Sequence, residues 1–233
     1  MLRLVDLSLD IYDKAPTFWP DPKTAVLRHL KVENLNYNIT QLIMSTHLGT
    51  HEDAPYHFFD DGLTIDKIDV RRGFGMAEVL DFSAKRPREE ITVADMEAHG
   101  ERIRQGSRLI IRTGWDKFFP EPRYFAEMPF LGANTCKWLA ERGVVCVATD
   151  IPSINGAEYT PAHHALLNEL AQVLIVEGMR GLERLQGRQV ILMALPLRVR
   201  DGDGAPCRAM ALDGHEGEVA ALARLLEGIE YAQ

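Results

Sequence analysis

The chain has 233 residues, of which 46% are apolar and 26% are charged. This is the composition of a globular protein and excludes a disordered, collagen-like or coiled-coil chain. Acidic residues outnumber basic ones by 34 to 26, which gives a net charge of −8 and argues against a protein that binds nucleic-acid phosphates along a basic face.

Three cysteines, Cys136, Cys146 and Cys207, are scattered along the chain, so neither a disulfide framework nor a CxxC metal site is expected. The apolar runs are far shorter than the roughly 20 residues that a transmembrane helix needs. The N-terminal stretch MLRLVDLSLDIYDK carries acids within its apolar part, unlike a signal peptide. The sequence therefore predicts a cytoplasmic protein without membrane or nucleic-acid partners.

Short strand-like runs alternate with helical stretches along the chain. The predicted strands cover residues 4–11, 37–45, 76–81, 109–113, 144–149, 173–177 and 189–195. The predicted helices cover residues 92–105, 132–142, 161–171 and 215–231. This order predicts an α/β fold, a single domain over residues 1–233 with a mixed central sheet flanked by helices.

Two helix boundaries have specific signals. Thr160 followed by Pro161 predicts an N-cap and a proline in the first helical position, which puts His163 in the first turn. Gly143, directly after a helical stretch, predicts a glycine that ends the helix in the left-handed conformation.

The most informative stretch is residues 46–58, because three histidines and two acids fall within it. His47, His51, Asp53 and His57 carry the imidazole and carboxylate groups that bind Zn²⁺, Mn²⁺ and Fe²⁺ in proteins. Clustered surface histidines are the alternative interpretation. The number and spacing of the groups favour a metal site.

The spacing also constrains the backbone. A straight strand would put His47 and His57 roughly 33 Å apart at about 3.3 Å per residue, too far for one ion. Gly49 and Pro55 disfavour a helix. We therefore expect a bent loop that turns at Gly49 and Pro55.

Two acids follow buried-looking strands. Glu177 ends the apolar run 173–176, at the carboxyl edge where α/β proteins place functional groups; a solvated strand end is the alternative. Asp150 ends the run 144–149, where it either orients a metal ligand or caps the turn at Pro152 and Ser153.

The string HLGTHEDAPYH, residues 47–57, resembles the HxGTHxDxPxH signature of the metal-dependent cyclase family, which includes kynurenine formamidases and isatin hydrolases. Four further blocks resemble family motifs: Phe18-Trp19-Pro20, Arg112-Thr113-Gly114-Trp115, residues 143–153, and Leu195-Pro196-Leu197 with Asp203-Gly204-Ala205-Pro206. The resemblance implies a swivelling β/α-type fold.

The resemblance also implies the metal ligands. In the kynurenine formamidases a binuclear zinc site takes residues that match His47, His51, Asp53, His163 and Glu177. His163 and Glu177 are fourteen positions apart, a wider gap than is usual in the family, and His164 is the alternative ligand. A divalent metal, Zn or Mn, with one or two ions, is expected.

Further roles follow from the same resemblance. His57 matches the family's proton-transferring histidine, in keeping with an imidazole's ability to gain and lose a proton near neutral pH; a third metal ligand is the alternative. Independently of the resemblance, the position of Trp19 beside Pro20 in a proline-rich loop favours contact with the substrate, with a place in the core as the alternative. For Phe58 and Phe59 a place in the core is favoured over one in the substrate pocket.

The implied activity is hydrolysis of a carbon–nitrogen bond, in an amide, formamide or cyclic amide, by metal-activated water, with a small-molecule substrate and a homo-oligomer, a dimer or tetramer. Ring-forming or dehydrating chemistry on a non-aromatic substrate is one alternative. A metal-binding relative without turnover is another. His57 argues against a relative without turnover, because a purely structural metal site is closed by its ligands and needs no further base.

Overall fold

Strands and helices alternate along residues 1–228, the part of the chain that the computed structural model describes. The strands are β1 (Arg3–Asp6), β2 (Ala25–Leu30), β3 (Ile39–Ile43), β4 (His51–Asp53), β5 (Phe74–Asp81), β6 (Glu90–Ile91), β7 (Arg108–Arg112), β8 (Phe130–Leu131), β9 (Cys146–Thr149), β10 (Leu174–Glu177), β11 (Gln189–Met193), β12 (Gly204–Pro206) and β13 (Met210–Asp213). The helices are α1 (Val32–Leu35), α2 (Val93–Glu97), α3 (Pro122–Ala126), α4 (Ala133–Glu141), α5 (Tyr159–Leu167) and α6 (Glu216–Glu227).

A mixed sheet forms the centre of the molecule. Within residues 1–228 its nine strands follow the order β1-β13-β11-β5-β7-β9-β10-β4-β12. The four central strands β5, β7, β9 and β10 are parallel, and the strands on both sides of them run antiparallel. This confirms the predicted α/β class with a mixed sheet. A single domain over the full length, residues 1–233, stays a prediction.

The seven predicted strands correspond to β1, β3, β5, β7, β9, β10 and β11. The other six strands were missed for a physical reason. Most are two to four residues long, too short for the alternation that marks a strand. Moreover, β4 reads His-Glu-Asp and β12 reads Gly-Ala-Pro, sequences with low strand propensity.

Two helix predictions need correction. The helix predicted over 92–105 is only α2 followed by a 3₁₀ turn, Gly100–Arg102, because Gly100 adopts a positive φ of 57° that interrupts an α-helix. The helix predicted from Pro161 begins two residues earlier, after Glu158. The turn before it is held by the Asn155 side chain, which accepts hydrogen bonds from the backbone N–H groups of Ala157 and Glu158.

The other two helices agree with the pattern. α4 ends before Gly143, which has a φ of 71° as predicted. α6 lies within the predicted span 215–231, whose last residues, 229–231, lie outside the described part of the chain. No helix of residues 1–228 is long and apolar enough to cross a bilayer.

Apolar side chains pack on both faces of the sheet. Neighbouring residues such as Ile110 and Ile111 belong to different apolar clusters, because successive side chains of a strand point to opposite faces. Leu166 of α5 and Leu139 of α4 cover one face. This packing fixes the carboxyl edge of β9 and β10, where Asp150 and Glu177 lie.

The strands β2 and β3 form a separate two-stranded hairpin, with α1 between them. Every residue of β3 is exposed, including Leu42 and Ile43, and Leu27 of β2 is exposed as well. The hairpin therefore presents apolar side chains to solvent.

Candidate functional site

The strand β4 brings two signature side chains to one face of the sheet. His51 and Asp53 are two positions apart in β4 and therefore point the same way. The backbone turns at Gly49, which has a φ of 65°, and again at the 3₁₀ turn Pro55–His57. Both expected turns are present. The prediction of a loop between these turns is wrong, because residues 51–53 form a strand that is hydrogen-bonded to β10 on one side and β12 on the other.

Four buried side chains converge in front of this strand. His51 Nε2 lies 3.5 Å from Asp53 Oδ1 and 3.5 Å from Glu177 Oε2. His163 Nε2 lies 3.5 Å from Glu177 Oε1 and 3.7 Å from Asp53 Oδ2. None of these side chains is more than 5% exposed. We call this group the inner cluster: His51, Asp53, His163 and Glu177.

Two further histidines extend the inner cluster toward solvent. His47 Nδ1 lies 2.8 Å from Asp53 Oδ1. The ring of His57 stacks on that of His47, with 3.9 Å between centroids, and its side chain is 30% exposed. The structure thus brings together all six side chains that were predicted to bind metal or transfer protons.

Of the two adjacent histidines on α5, His163 points into the inner cluster and His164 does not. His163 is buried, whereas His164 is exposed and lies against Phe59 at 4.8 Å between ring centroids. Because α5 begins at Tyr159, His163 lies in its second turn and not in the first turn as predicted.

The inner cluster fits a divalent ion. His51 Nδ1 donates a hydrogen bond to the carbonyl of Gly49 at 3.0 Å, so a neutral His51 directs the Nε2 lone pair at two carboxylates. That arrangement requires a cation between them or a proton on Nε2. Two atoms that are each about 2.1 Å from a tetrahedral ion lie about 3.4 Å apart, close to the observed nitrogen–oxygen distances of 3.5–3.7 Å.

A second group of potential ligands shares one carboxylate with the first. His47, Asp53 and His57 each offer an atom within 4.8 Å of the others, as do His51, Asp53 and Glu177. Asp53 lies between the two groups. The donor set therefore has room for one ion or two.

Several carboxylates surround these imidazoles and make the site strongly negative. Burial by itself would lower the pKa of His47, but the carboxylates of Asp53 and Asp203 raise it to about 9. Burial would also lower the pKa of His51, but the carboxylates of Asp53 and Glu177 together raise it to about 10. Without an ion the site thus binds protons tightly, which is the behaviour expected where buried carboxylates need positive charge.

A cavity of about 620 Å³ opens onto the inner cluster. Its apolar wall includes Phe18, Trp19 and Phe58. Trp19 lines the edge of the cavity and is 92% exposed; its contact with a substrate stays a prediction. Phe58 both lines the cavity and stacks on His163 at 4.6 Å. Phe58 and Phe59 also pack against the core.

Comparison with known proteins gives the family. Residues 5–156 match the model of the family described as "Putative cyclase". A kynurenine formamidase from Erythrobacter litoralis is 34% identical over 212 residues, which cover 89% of this chain and 93% of that one. This chain belongs to the cyclase family.

Solved structures of similar proteins agree with the fold. Isatin hydrolase A from Labrenzia aggregata superposes with a TM-score of 0.82 at 24% identity, over 92% of this chain and 94% of that chain. A predicted metal-dependent hydrolase from Bacillus stearothermophilus has a TM-score of 0.77 at 26% identity, over 92% and 100% of the two chains. The predicted family, fold class and enzyme class, a hydrolase of carbon–nitrogen amide bonds, are confirmed.

Asp150 has neither of the roles considered for it. In this cyclase-family chain its carboxylate accepts hydrogen bonds from the backbone N–H groups of Thr113 and Gly114 and from the Thr113 hydroxyl. It therefore ties the end of β9 to the end of β7. The family block Arg112-Thr113-Gly114-Trp115 supplies this attachment and not a metal ligand.

One polar contact of the site was not predicted from the sequence. Asp203 Oδ2 lies 2.9 Å from His47 Nε2. The sequence contained a signal, since Asp203 lies in the last of the blocks that resemble the family. A carboxylate 156 positions from His47 could not be assigned to that histidine before β12 was known to lie beside β4.

Proposed function

We propose that this chain hydrolyses a formamide or a cyclic amide joined to an aromatic ring, with a divalent ion, Zn or Mn, held by His51, Asp53, His163 and Glu177. A second ion would share Asp53 with His47. The observation that carries the proposal is the buried inner cluster at the base of a cavity with an aromatic wall. The names of its relatives, kynurenine formamidase and isatin hydrolase, support the two amide types.

The residues divide the chemical work as follows. A bound divalent ion activates water at neutral pH and polarises the amide carbonyl. His57 transfers a proton to the leaving nitrogen, because it is the most solvent-exposed imidazole of the site and borders the cavity. Its Nδ1 faces Asp203 at 3.5 Å, which leaves Nε2 as the atom that exchanges the proton.

The aromatic wall selects the substrate ring. Phe18 and Phe58 are fixed by packing, Phe18 against Phe125 at 5.1 Å and Phe58 against His163 at 4.6 Å. Trp19 lies on the solvent side of the same cavity, where its ring could contact a planar ligand. Flat aromatic amides bury more apolar area on such a wall than aliphatic ones.

The charge of the cavity favours substrates without a carboxylate. Among the described residues, its lining includes Asp21, Asp53 and Glu177 but neither lysine nor arginine. An anionic group on the substrate would have no lysine or arginine to pair with. We therefore propose an uncharged aromatic amide as the preferred substrate.

The experiment uses purified protein and two uncharged probes, formanilide and isatin. Formate release and ring opening are measured after chelation and after Zn²⁺ or Mn²⁺ is added back. The proposal predicts hydrolysis that disappears with the ion and returns with it, and slower turnover of 2-formamidobenzoate, which differs from formanilide only by a carboxylate. Retained metal without hydrolysis of any amide would support the non-catalytic alternative; ring chemistry restricted to non-aromatic substrates would support the cyclase alternative.

The proposed assembly is a homo-oligomer. An isolated two-stranded hairpin is marginally stable in water, and the β2–β3 hairpin carries exposed apolar residues, including Leu27, Leu42 and Ile43. Burial of this surface against another copy would stabilise it. Light scattering on wild-type protein and on Leu42→Lys tests the assembly: we expect a dimer or tetramer that the substitution weakens.

A cytoplasmic location is proposed as well. Cys136, Cys146 and Cys207 are all free thiols, as expected of a protein from a reducing compartment.

A further inference from the structure

Asp203 lies beside the inner cluster and contacts the side chains of three residues. Its Oδ2 is 2.9 Å from His47 Nε2, and its Oδ1 accepts a hydrogen bond from the Thr46 hydroxyl at 2.9 Å. The same Oδ2 faces His57 Nδ1 at 3.5 Å. The carboxylate is thus held by Thr46 on one side and directed at imidazoles on the other.

This contact decides which nitrogen of His47 is available to an ion. An ionised carboxylate only accepts hydrogen bonds, and Asp203 Oδ2 lies at hydrogen-bond distance, 2.9 Å, from His47 Nε2. Nε2 of His47 must therefore carry the hydrogen. In the neutral imidazole the lone pair is then on Nδ1, the atom that lies 2.8 Å from Asp53.

Backbone hydrogen bonds hold Asp203 in this position. The carbonyl of Asp203 accepts a hydrogen bond from the Ala54 N–H at 2.9 Å, and Gly204 pairs with Asp53 between β12 and β4. A Cβ on Gly204 would lie 2.8 Å from Cε1 of His47 and 2.5 Å from the Glu52 carbonyl oxygen. β12 therefore lies so close to the His47 ring that only glycine fits at position 204.

We infer that Asp203 is a positioning residue that sets the tautomer and ring orientation of His47, so that Nδ1 is presented to a divalent ion. The inference rests on the proposed function in that His47 must bind metal. Hydrogen-bonded carboxylates behind metal-binding histidines act in this way, and their loss weakens metal binding about 10- to 100-fold. Because His57 stacks on His47, a misplaced His47 also displaces the proton-transferring ring.

The test measures metal dissociation constants by competition with a chelator, for wild type, Asp203→Asn and Asp203→Glu. We expect Asp203→Asn to weaken binding of the Zn²⁺ or Mn²⁺ ion at His47 by about 10- to 100-fold. At saturating metal it should still lower kcat, with little change in KM. Asp203→Glu should restore part of the affinity, since it keeps the charge. Urea unfolding of the metal-free variants checks that the fold is retained.

Two further variants separate positioning from general damage. Asp201→Asn is the matched control, because Asp201 lies in the same loop, is exposed and pairs with Lys67 at 3.4 Å; it should bind metal as wild type does. Thr46→Val removes the hydroxyl that holds Asp203. It should weaken metal binding by less than Asp203→Asn, and it should have no further effect when combined with it.

The outcomes distinguish this inference from the proposed function. Wild type that binds metal and hydrolyses amides, together with an Asp203→Asn variant that binds metal equally well, overturns the inference alone. An equal loss in Asp201→Asn also overturns it. Wild type that binds no divalent ion overturns both.

Discussion

His163 Nε2 and Glu177 Oε1 lie 3.5 Å apart, although one residue is on α5 and the other ends β10. The helix reaches the strand because Leu166 and Leu167 on α5 pack in the same apolar cluster as Ile175 on β10. Apolar packing thus determines where this pair of potential ligands meets.

The neighbouring histidines provide a matched pair for testing this contact. His163→Ala should reduce metal content, because it removes an imidazole from the inner cluster. His164→Ala should leave metal content unchanged, because His164 is exposed and faces away from it. Metal analysis by inductively coupled plasma mass spectrometry decides the question, and the opposite pattern would assign the ligand to His164.

Adjacent acids in β4 provide a second matched pair. Asp53 faces the inner cluster, whereas Glu52 is buried on the opposite face of the strand. Asp53→Asn should lose most of the bound metal because both ligand groups share this carboxylate. Glu52→Gln should keep its metal. Equal metal content in wild type and Asp53→Asn would remove Asp53 from the ligand set.

His57→Ala separates proton transfer from metal binding. The variant should retain its metal and lose about 10²- to 10⁴-fold in kcat, the usual contribution of a positioned general acid or base. Turnover of formanilide and metal content are measured on the same sample. Loss of metal in this variant would identify His57 as a third ligand of the group that it forms with His47 and Asp53.

Stability should depend on pH differently with and without metal. In the metal-free protein, burial lowers the pKa values of His47 and His51, but neighbouring carboxylates outweigh it and raise them to about 9 and about 10. In an unfolded chain the pKa of a histidine is about 6.5. The stabilisation from these charged imidazoles is complete below about pH 6.5. It is lost as pH rises through the folded values, by up to about 1.4 kcal/mol per pH unit for each imidazole.

A bound ion takes the place of these protons, so metal binding should strengthen as pH rises. Urea unfolding between pH 6.5 and 8.5 tests both statements. Chelated protein should lose stability over this range, while protein saturated with Zn²⁺ should not. The same pH dependence in both samples would contradict the account of the inner cluster.

Much of the site could be predicted from sequence because the signature is local. His47, His51, Asp53 and His57 lie within a stretch of eleven residues, and their donor chemistry indicates a metal site without knowledge of the fold. Glu177 was identifiable because it directly ends an apolar strand. These side chains could be predicted because each is marked by its immediate neighbours in the sequence.

The remainder depends on long-range pairing. β4 and β12 are three residues each and contain polar, glycine or proline residues, so nothing in either segment predicts that they pair. Without that pairing Asp203 has no place beside His47. The start of α5 was also hidden, because the turn before it depends on the Asn155 side chain and not on a cap at Thr160.

Anomalous X-ray diffraction from crystals of the protein loaded with Zn²⁺ or Mn²⁺ tests the central claim most directly. The account predicts an anomalous peak in the inner cluster, about 2.0–2.2 Å from His51 Nε2 and from carboxylate oxygens of Asp53 and Glu177. A peak elsewhere, or full occupancy of the metal without contact to these three side chains, would contradict it.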